Sequence, residues 1–251
     1  MKYIVGIDLH GTLLDDDEKV RSDYYDKLKN LFREKPSNFK LYVCTGNDLP
    51  FVQRKLGDLL ELFDGSVLET GAVISYDNLT ETVITESVDV EKIKKLQKRL
   101  ESEEFPEIYK YARRLSSISM FTNFGESVEK FFKTTCSYLE DDKDDYYRIT
   151  HSSVAVDIVP AFANKYFGLK YIANDDDIIV GIADSLNDLE MLEKSDMSFV
   201  PNNYSKKLDG ITVRSFRSLS DYNNNFIGVS EGKTSEGVYQ IVSYLFKNYG
   251  V

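Results

Sequence analysis

In the first quarter of the chain, segments with the hydrophobic pattern of a β-strand alternate with segments that have the hydrophobic spacing of an α-helix. Residues 3–7 form a short, largely β-branched apolar run that predicts a buried parallel strand. Residues 20–32 carry apolar side chains at helical spacing. Residues 40–45 predict a second core strand, and a second helix is expected from near residues 47–50 to Leu60, with Pro50 in its first turn. This order of strand, helix, strand and helix is typical of a parallel sheet.

The pattern changes between residues 66 and 158. Residues 66–75 predict two short strands joined by a glycine turn, and residues 82–85 a possible return strand. The apolar spacing then gives helix, strand, strand twice, which predicts an α+β module inserted into an α/β domain. The module's predicted helices are 88–100 and 126–139, and its predicted strands are 108–113, 117–124, 146–150 and 154–159, the last with Val154, Val156 and Ile158 on one face.

Beyond Pro160 the α/β order returns. We therefore predict an α/β core domain made of residues 1–83 and 160–251, with residues 84–159 as the inserted domain. The elements predicted in this last part are helices at 164–173 and 186–193, strands at 178–182, 197–200 and 211–213, and a final helix that buries Val238, Ile241, Val242, Leu245 and Phe246.

The composition and net charge limit which kinds of molecule the protein could bind. The 251 residues are 42% apolar and 29% charged, as in ordinary globular proteins. The net charge of −11 argues against nucleic acid or an anionic membrane as a partner, but a cation could still admit a small phosphorylated substrate into one cleft. Cys44 and Cys136 imply no disulfide framework, and we expect Cys44 to be buried filler. With no signal-peptide pattern or membrane-spanning run, we expect a cytoplasmic protein.

Polar residues follow three of the predicted core strands. Asp8 ends the first strand before a Gly-Thr turn, Thr45 ends the second, and the loop at 181–188 with Asp184 ends the third. In a parallel sheet these ends share one edge, so the side chains can converge. Asp8 and Asp184 would repel each other unless a cation lay between them, and oxygen ligands suit Mg²⁺. Beside Mg²⁺ and phosphate, a carboxylate can attack phosphorus and form an aspartyl-phosphate. The alternative is that Asp8 only forms the turn.

Four segments in order resemble the four motifs of the haloacid-dehalogenase superfamily. They are Asp-Leu-His-Gly-Thr-Leu-Leu at 8–14, Thr45-Gly46, Lys165 at a helix start, and Gly-Ile-Ala-Asp-Ser-Leu-Asn-Asp-Leu-Glu-Met-Leu at 181–192. The segments at 70–74 and 164–170 are similar to the Cof-like and sucrose-phosphatase-like branch. The resemblance covers nearly the whole chain. It implies a Rossmann-like parallel-sheet core with an αββαββ cap domain.

The resemblance also implies a role for each matching residue. Asp8 would be the nucleophile, and Lys165 would offset the carboxylates around it. The residues that hold Mg²⁺ would be Asp8, His10 through its backbone carbonyl, Asp184 and Asp188. The residues that bind phosphate would be Thr45, Gly46, Lys165 and Asn187. The catalytic residues would be Asp8, His10, Thr45 and Lys165.

Two positions depart from the family pattern. The family usually has a second Asp two residues after the nucleophile, where it protonates the leaving oxygen and then activates water; here the residue is His10. Either this acid–base step is lost, or the imidazole takes it over, since imidazole exchanges protons near neutral pH. At Asn47, relatives often carry Arg. Candidates in the cap for a second anionic group, each also open to interpretation as a surface residue, are Arg113, Arg114 and His151.

The sequence thus predicts a Mg²⁺-dependent phosphatase that acts through an aspartyl-phosphate on a small phosphorylated metabolite, a sugar phosphate or a phospho-acid. We expect a monomer or a small homo-oligomer with no nucleic acid or membrane partner. Two alternatives remain open: a phosphomutase, and a non-catalytic metabolite-binding protein on the same scaffold.

Overall fold

The computed structural model describes residues 1–103, 108–122, 127–140, 145–152 and 154–251. These residues divide into two compact units, a core unit of Met1–Glu81 with Asn164–Val251 and an inserted unit of Thr82–Ala163. In the described ranges, no helix combines the length and the apolar character needed to cross a bilayer. Parts of the predicted strand at 117–124 and of the predicted helix at 126–139 lie outside the described residues.

Strands and α-helices are numbered here in chain order over the described residues. The strands are β1 (Tyr3–Asp8), β2 (Phe39–Cys44), β3 (Gly65–Leu68), β4 (Val73–Ser75), β5 (Thr82–Val83), β6 (Ile108–Tyr111), β7 (Ile118–Thr122), β8 (Tyr147–His151), β9 (Ala155–Pro160), β10 (Ile178–Ile182), β11 (Met197–Val200), β12 (Phe216–Ser218) and β13 (Ile227–Val229). The helices are α1 (Ser22–Arg33), α2 (Leu49–Leu56), α3 (Ser87–Ser102), α4 (Val128–Tyr138), α5 (Lys165–Ile172), α6 (Leu189–Lys194) and α7 (Thr234–Tyr249).

The core unit is built on a mostly parallel sheet in the order β12-β13-β11-β10-β1-β2-β3-β4, with β4 antiparallel to β3. Its central strand β1 is apolar because both faces of a parallel sheet are covered, and Ile4, Val5 and Ile7 are buried. The predicted α/β class with a parallel-sheet core is confirmed.

The register of this sheet brings the polar strand ends together. Asp8 pairs with Cys44 across β1 and β2, and Ile7 pairs with Ile182 across β1 and β10. Thr45 and Asp184 therefore follow one residue beyond the positions level with Asp8. All three leave the sheet at its carboxyl edge.

The second helix shows how local sequence sets the bounds of an element. Asp48 caps α2 by accepting a hydrogen bond from the Phe51 amide at 3.1 Å, and Pro50 occupies the first turn. The predicted extension of this helix to Leu60 is wrong, because Gly57 turns to φ +53° and a 3₁₀ helix follows.

The inserted unit contains helix, strand, strand twice. Its antiparallel sheet has the order β6-β7-β9-β8. Ile118 and Met120 of β7 lie opposite Ile158 and Val156 of β9, and all four are buried. Helices α3 and α4 contribute to the same apolar cluster, so they cover that face of the sheet. Whether this unit acts as a cap stays a prediction.

Two predicted strand features are wrong. Val154 precedes β9 and is 57% exposed, so it does not share the buried face of Val156 and Ile158. Residues 211–213 form no strand, because Ile211 and Val213 are 53% and 90% exposed in a turn. The two strands that follow, β12 and β13, have only three residues each, too few to show an apolar period.

A prediction concerns the glycine that lets α5 approach the sheet. Gly71 has φ +93°, and a Cβ there would lie 1.9 Å from the Asn164 carbonyl oxygen at the start of α5. Gly71→Ala should therefore destabilise the protein by about 3 kcal/mol or more in urea unfolding. Gly57→Ala is the matched control for backbone strain, since φ is +53° there but a Cβ meets open space, and it should cost about 1–3 kcal/mol, less than Gly71→Ala. Equal losses for the two variants would contradict the packing argument.

Candidate active site

Three carboxylates meet at the carboxyl edge of the core sheet. Asp8 ends β1, Asp184 lies in the loop after β10, and Asp188 ends the 3₁₀ turn Leu186–Asp188 before α6. One oxygen from each side chain lies within 4.8 Å of the others. Asp8 and Asp188 are buried and Asp184 is half-buried. Their mutual repulsion is strong in a low-dielectric setting, so the cluster requires compensating charge.

Lys165 supplies part of that charge from the first turn of α5. The helix starts there because Asn164 caps it, accepting a hydrogen bond from the Phe167 amide at 2.7 Å. The buried Lys165 Nζ lies 2.5 Å from Asp8 Oδ1 and also contacts Asp188 Oδ1. Burial opposes the charge on Lys165, but Asp188 and Asp8 together outweigh it and raise its pKa. The lysine therefore stays an ammonium ion across the neutral range.

Two hydroxyl groups bind other oxygens of the three carboxylates than those that Lys165 contacts. The fully buried Thr12 Oγ1 lies 2.9 Å from Asp184 Oδ1 and 3.2 Å from Asp8 Oδ2. Because a hydroxyl has one proton, Thr12 donates to one of these carboxylates at a time. Ser185 Oγ donates to Asp188 Oδ2 at 3.1 Å. We did not predict from the sequence that Thr12 binds these carboxylates. The Gly-Thr turn directly after Asp8 was the feature that could have indicated it.

The cluster holds more negative charge than one lysine balances. With all three carboxylates ionised beside one ammonium, two negative charges would remain. Burial, followed by the charges of Asp8 and Asp188, raises the pKa of Asp184 to about 8. Burial raises the pKa of Asp188 to about 6, although Lys165 acts against the shift. An oxygen-only donor set with this excess charge fits a hard divalent cation such as Mg²⁺.

The predicted phosphate-binding residues are only partly brought to this cluster. Thr45, directly after β2, is buried, and its Oγ1 accepts hydrogen bonds from the Asn47 amide and side chain at 3.2 and 3.3 Å. Because Thr45 Oγ1 accepts from Asn47, its own proton points away from Asn47, and the hydroxyl can donate a hydrogen bond to another group. Gly46 is exposed beside it. Asn187 is exposed on the turn before α6 and makes no side-chain hydrogen bond within the described part of the chain.

The contacts of the His10 side chain are with Glu18 and Phe51. Its Nε2 is 3.3 Å from Glu18 Oε1, its ring centroid is 5.4 Å from that of Phe51, and the side chain is 45% exposed. Glu18 also pairs with Lys55 at 2.5 Å, and this hydrogen bond lowers its pKa, so Glu18 is a carboxylate. Over the described ranges, His10 makes no hydrogen bond to Asp8, Asp184 or Asp188. Its carbonyl as a metal ligand stays a prediction.

The structure also locates the candidate residues of the inserted unit and Cys44. The predicted strand at 108–113 is too long, since β6 ends at Tyr111 and Arg113 and Arg114 follow it. His151 lies in β8 with its ring centroid 4.6 Å from that of Phe132 in α4, on the helix-covered face. Contact of these three with a substrate stays a prediction. Burial raises the pKa of the Cys44 thiol, as suits a packing residue.

The fold and the site define a class of protein: an α/β protein with an acidic cluster and a buried lysine at the carboxyl edge of a parallel sheet. The family model for haloacid dehalogenase-like hydrolases matches residues 5–145 and 103–229. The chain belongs to this family, and the resemblance found in its sequence is confirmed. A search of curated protein sequences found no match.

Solved structures with the same fold match nearly the full length of the chain. A haloacid dehalogenase-like hydrolase from B. subtilis is 17% identical with a TM-score of 0.67, covering 98% of this chain and 100% of its own. A protein from Plasmodium vivax, provisionally described as a HAD/COF-like hydrolase, is 17% identical with a TM-score of 0.69 over 98% and 96%. A haloacid dehalogenase-like hydrolase from Bacteroides thetaiotaomicron is 13% identical with a TM-score of 0.65 over 98% and 99%. At these identities the likeness shows the fold.

The raised pKa of Asp184 gives a prediction for the metal-free protein. Because its pKa is about 8 in the folded state and lies in the ordinary carboxyl range when unfolded, the folded state binds this proton more tightly. Without divalent metal, stability should therefore fall as the pH rises from about 4 through 8. Mg²⁺ at one hundred times its dissociation constant should raise the melting temperature at pH 8.5 by roughly 5–10 °C, and by less at pH 5.5.

Asp184→Asn should remove most of both effects, whereas Asp175→Asn, an exposed acid in a loop, should change neither. Differential scanning fluorimetry with EDTA or Mg²⁺ at the two pH values makes the measurement. A Mg²⁺ shift of equal size in wild type and Asp184→Asn would mean that the metal binds elsewhere.

Proposed function

We propose that this protein is a Mg²⁺-dependent phosphatase that hydrolyses a small phosphorylated metabolite, a sugar phosphate or a phospho-acid. The observation that carries the proposal is the contact of buried Lys165 with both Asp8 and Asp188, beside Asp184. A catalytic phosphate site needs a nucleophile next to positive charge, and this cluster combines them. Membership of the hydrolase family supports the same reaction class.

Asp8 is the proposed nucleophile. Its carboxylate oxygen attacks the phosphorus in line, the ester P–O bond breaks, and the alcohol leaves with a proton while an aspartyl-phosphate forms on Asp8. Water then attacks the phosphorus, the acyl phosphate bond breaks, and inorganic phosphate leaves with Asp8 regenerated. Lys165 and the Thr45 hydroxyl donate to the phosphoryl oxygens and stabilise the charge that develops there. Asp8, Asp184 and Asp188 would hold Mg²⁺, which when bound offsets the repulsion between carboxylate and phosphate.

His10 is the proposed proton carrier, in the position where relatives have Asp. Its imidazole would give a proton to the leaving oxygen and then take one from the attacking water, which balances the two steps. The exposed ring beside Glu18 supports this role, because an imidazole there can exchange its proton with solvent between turnovers.

We also propose a small soluble substrate and a cytoplasmic location. The net charge of −11 disfavours an extended polyanion such as nucleic acid or an anionic membrane, while the positive charge of Lys165 is confined to one buried point. A monomer or a small homo-oligomer would serve this chemistry equally.

The nucleophile is tested with a panel of phosphomonoesters. Wild-type protein with Mg²⁺ should release phosphate from at least one sugar phosphate or phospho-acid, and Asp8→Asn should lower kcat by about 10³ or more because the amide cannot attack. Asp175→Asn should keep the wild-type rate. Turnover that needs a bisphosphate primer would indicate a phosphomutase, and an ester that raises the melting temperature without phosphate release would indicate a binding protein. Either result contradicts the phosphatase proposal.

The proton carrier is tested separately on the best ester from that panel. His10→Ala should lower kcat by about 10² to 10⁴, the usual contribution of general acid–base catalysis. His10→Asp, which restores the residue usual in the family, should keep most of the activity. If His10→Ala retains both the rate and its pH profile, His10 is not the proton carrier, while the Asp8 chemistry stands.

A further inference from the structure

The loop after Asp8 is folded tightly against Asp184. The Leu14 amide donates to the Leu9 carbonyl at 2.7 Å, and the Gly11 amide donates to the Leu14 carbonyl at 3.0 Å. Gly11 has φ +75°, and a Cβ there would lie 2.4 Å from Asp184 Oδ2. This turn sets where the Thr12 hydroxyl lies between Asp8 and Asp184.

Two side chains from the last quarter of the chain bind the carbonyl groups of the residues on either side of Thr12. Asn203 Nδ2 donates to the Gly11 carbonyl at 2.7 Å, and Ser235 Oγ donates to the Leu13 carbonyl at 2.7 Å. Ser235 is fully buried in the first turn of α7, and Asn203 is half-buried in the turn after β11. Neither residue belongs to the motifs found in the sequence.

Each of these side chains is itself fixed by a second hydrogen bond. Asn203 Oδ1 accepts from the Thr234 amide at 2.8 Å, and Ser235 Oγ accepts from the Arg21 amide at 3.0 Å. Thr234 has φ +44°, a rare conformation for a residue with a side chain, and its amide binds Asn203 in that conformation.

The turn that carries Asn203 also binds the second acidic loop. The Ser205 amide donates to the Asp184 carbonyl at 2.7 Å. One short segment after β11 therefore holds the backbone of the Asp8 loop through Asn203 and the backbone of the Asp184 loop through Ser205. The segment therefore links the two loops that carry these carboxylates.

We propose that Asn203 and Ser235 are positioning residues for the reaction. They hold the carbonyl groups of the two residues next to Thr12, Gly11 and Leu13, so that the Thr12 hydroxyl stays between Asp8 and Asp184 and orients the Asp8 carboxylate. This inference rests on the proposed function, because it assigns the two residues a part in the reaction of Asp8.

The test compares Asn203→Asp and Ser235→Ala with wild type, using p-nitrophenyl phosphate and Mg²⁺. Asn203→Asp keeps an acceptor for the Thr234 amide but has no N–H for Gly11, and Ser235→Ala has no hydroxyl for Leu13. Each should lower kcat by about 10- to 100-fold, because misplacing a reacting group acts on the chemical step, with KM changed less than about threefold. Asn202→Asp is the matched control, since Asn202 bonds Glu231 instead, and should stay within about twofold of wild type.

A double-mutant cycle separates positioning from general stability. If Asn203 acts through Thr12, then Asn203→Asp should lower kcat little further once Thr12→Val has removed the hydroxyl. Full multiplication of the two effects, or an unchanged kcat in Asn203→Asp alone, would overturn the proposal. Circular dichroism and melting curves identify any variant that has lost its fold, and the cycle is then run with Ser235→Ala.

Amide hydrogen exchange tests the positioning role of Asn203 independently of phosphatase activity. If wild type hydrolyses no ester, the proposed function fails, and exchange at the Thr12 and Leu14 amides then tests the hold on the loop. Exchange should be about tenfold faster in Asn203→Asp than in Asn202→Asp, as expected for the loss of one hydrogen bond. Equal rates in the two variants would overturn the positioning role.

Discussion

Three carboxylates share one ammonium group at the carboxyl edge of the core sheet, and the surrounding structure serves to hold them there. Buried charges require partners, and each partner of Asp8, Asp184 and Asp188 comes from a different part of the chain. Lys165 arrives on α5, Thr12 on the loop after β1, and the Ser185 hydroxyl from the loop after β10. The charge that remains unbalanced is what makes the cluster suited to a divalent cation and a phosphate group.

Two glycines allow the backbone to approach the charged cluster closely. Gly71 lets the start of α5 come close enough for Lys165 to reach Asp8, and Gly11 lets the nucleophile loop fold against Asp184. A side chain at either position would collide with the atoms that form the site. Asn203 and Ser235 complete the arrangement by binding the carbonyls of that loop. The carboxylates are therefore held by backbone contacts as much as by their own side-chain partners.

The residues that differ from the family pattern lie at the margin of the cluster. His10 is exposed beside Glu18, whereas Asp8 and Lys165 are buried. Asn47, where relatives often have Arg, donates to Thr45 Oγ1, so it turns the hydroxyl of that threonine without adding a positive charge. The proposed chemistry is divided accordingly, with charge stabilisation inside the cluster and proton exchange with solvent at the surface.

Local sequence determined the α/β class, the order of the main elements and the strand ends that carry Asp8, Thr45 and Asp184, because apolar period and turn residues act over short distances. It could not determine the three-residue strands β12 and β13, which lack a period. Nor could it determine the hydrogen bonds from Thr12 to Asp184, from Asn203 to Gly11 and from Ser235 to Leu13, each of which joins residues more than 170 positions apart. The side-chain direction of His10 was equally open. Only the tertiary structure decided these points, since the short strands depend on pairing within the sheet and the hydrogen bonds depend on which distant segment packs beside the Asp8 loop.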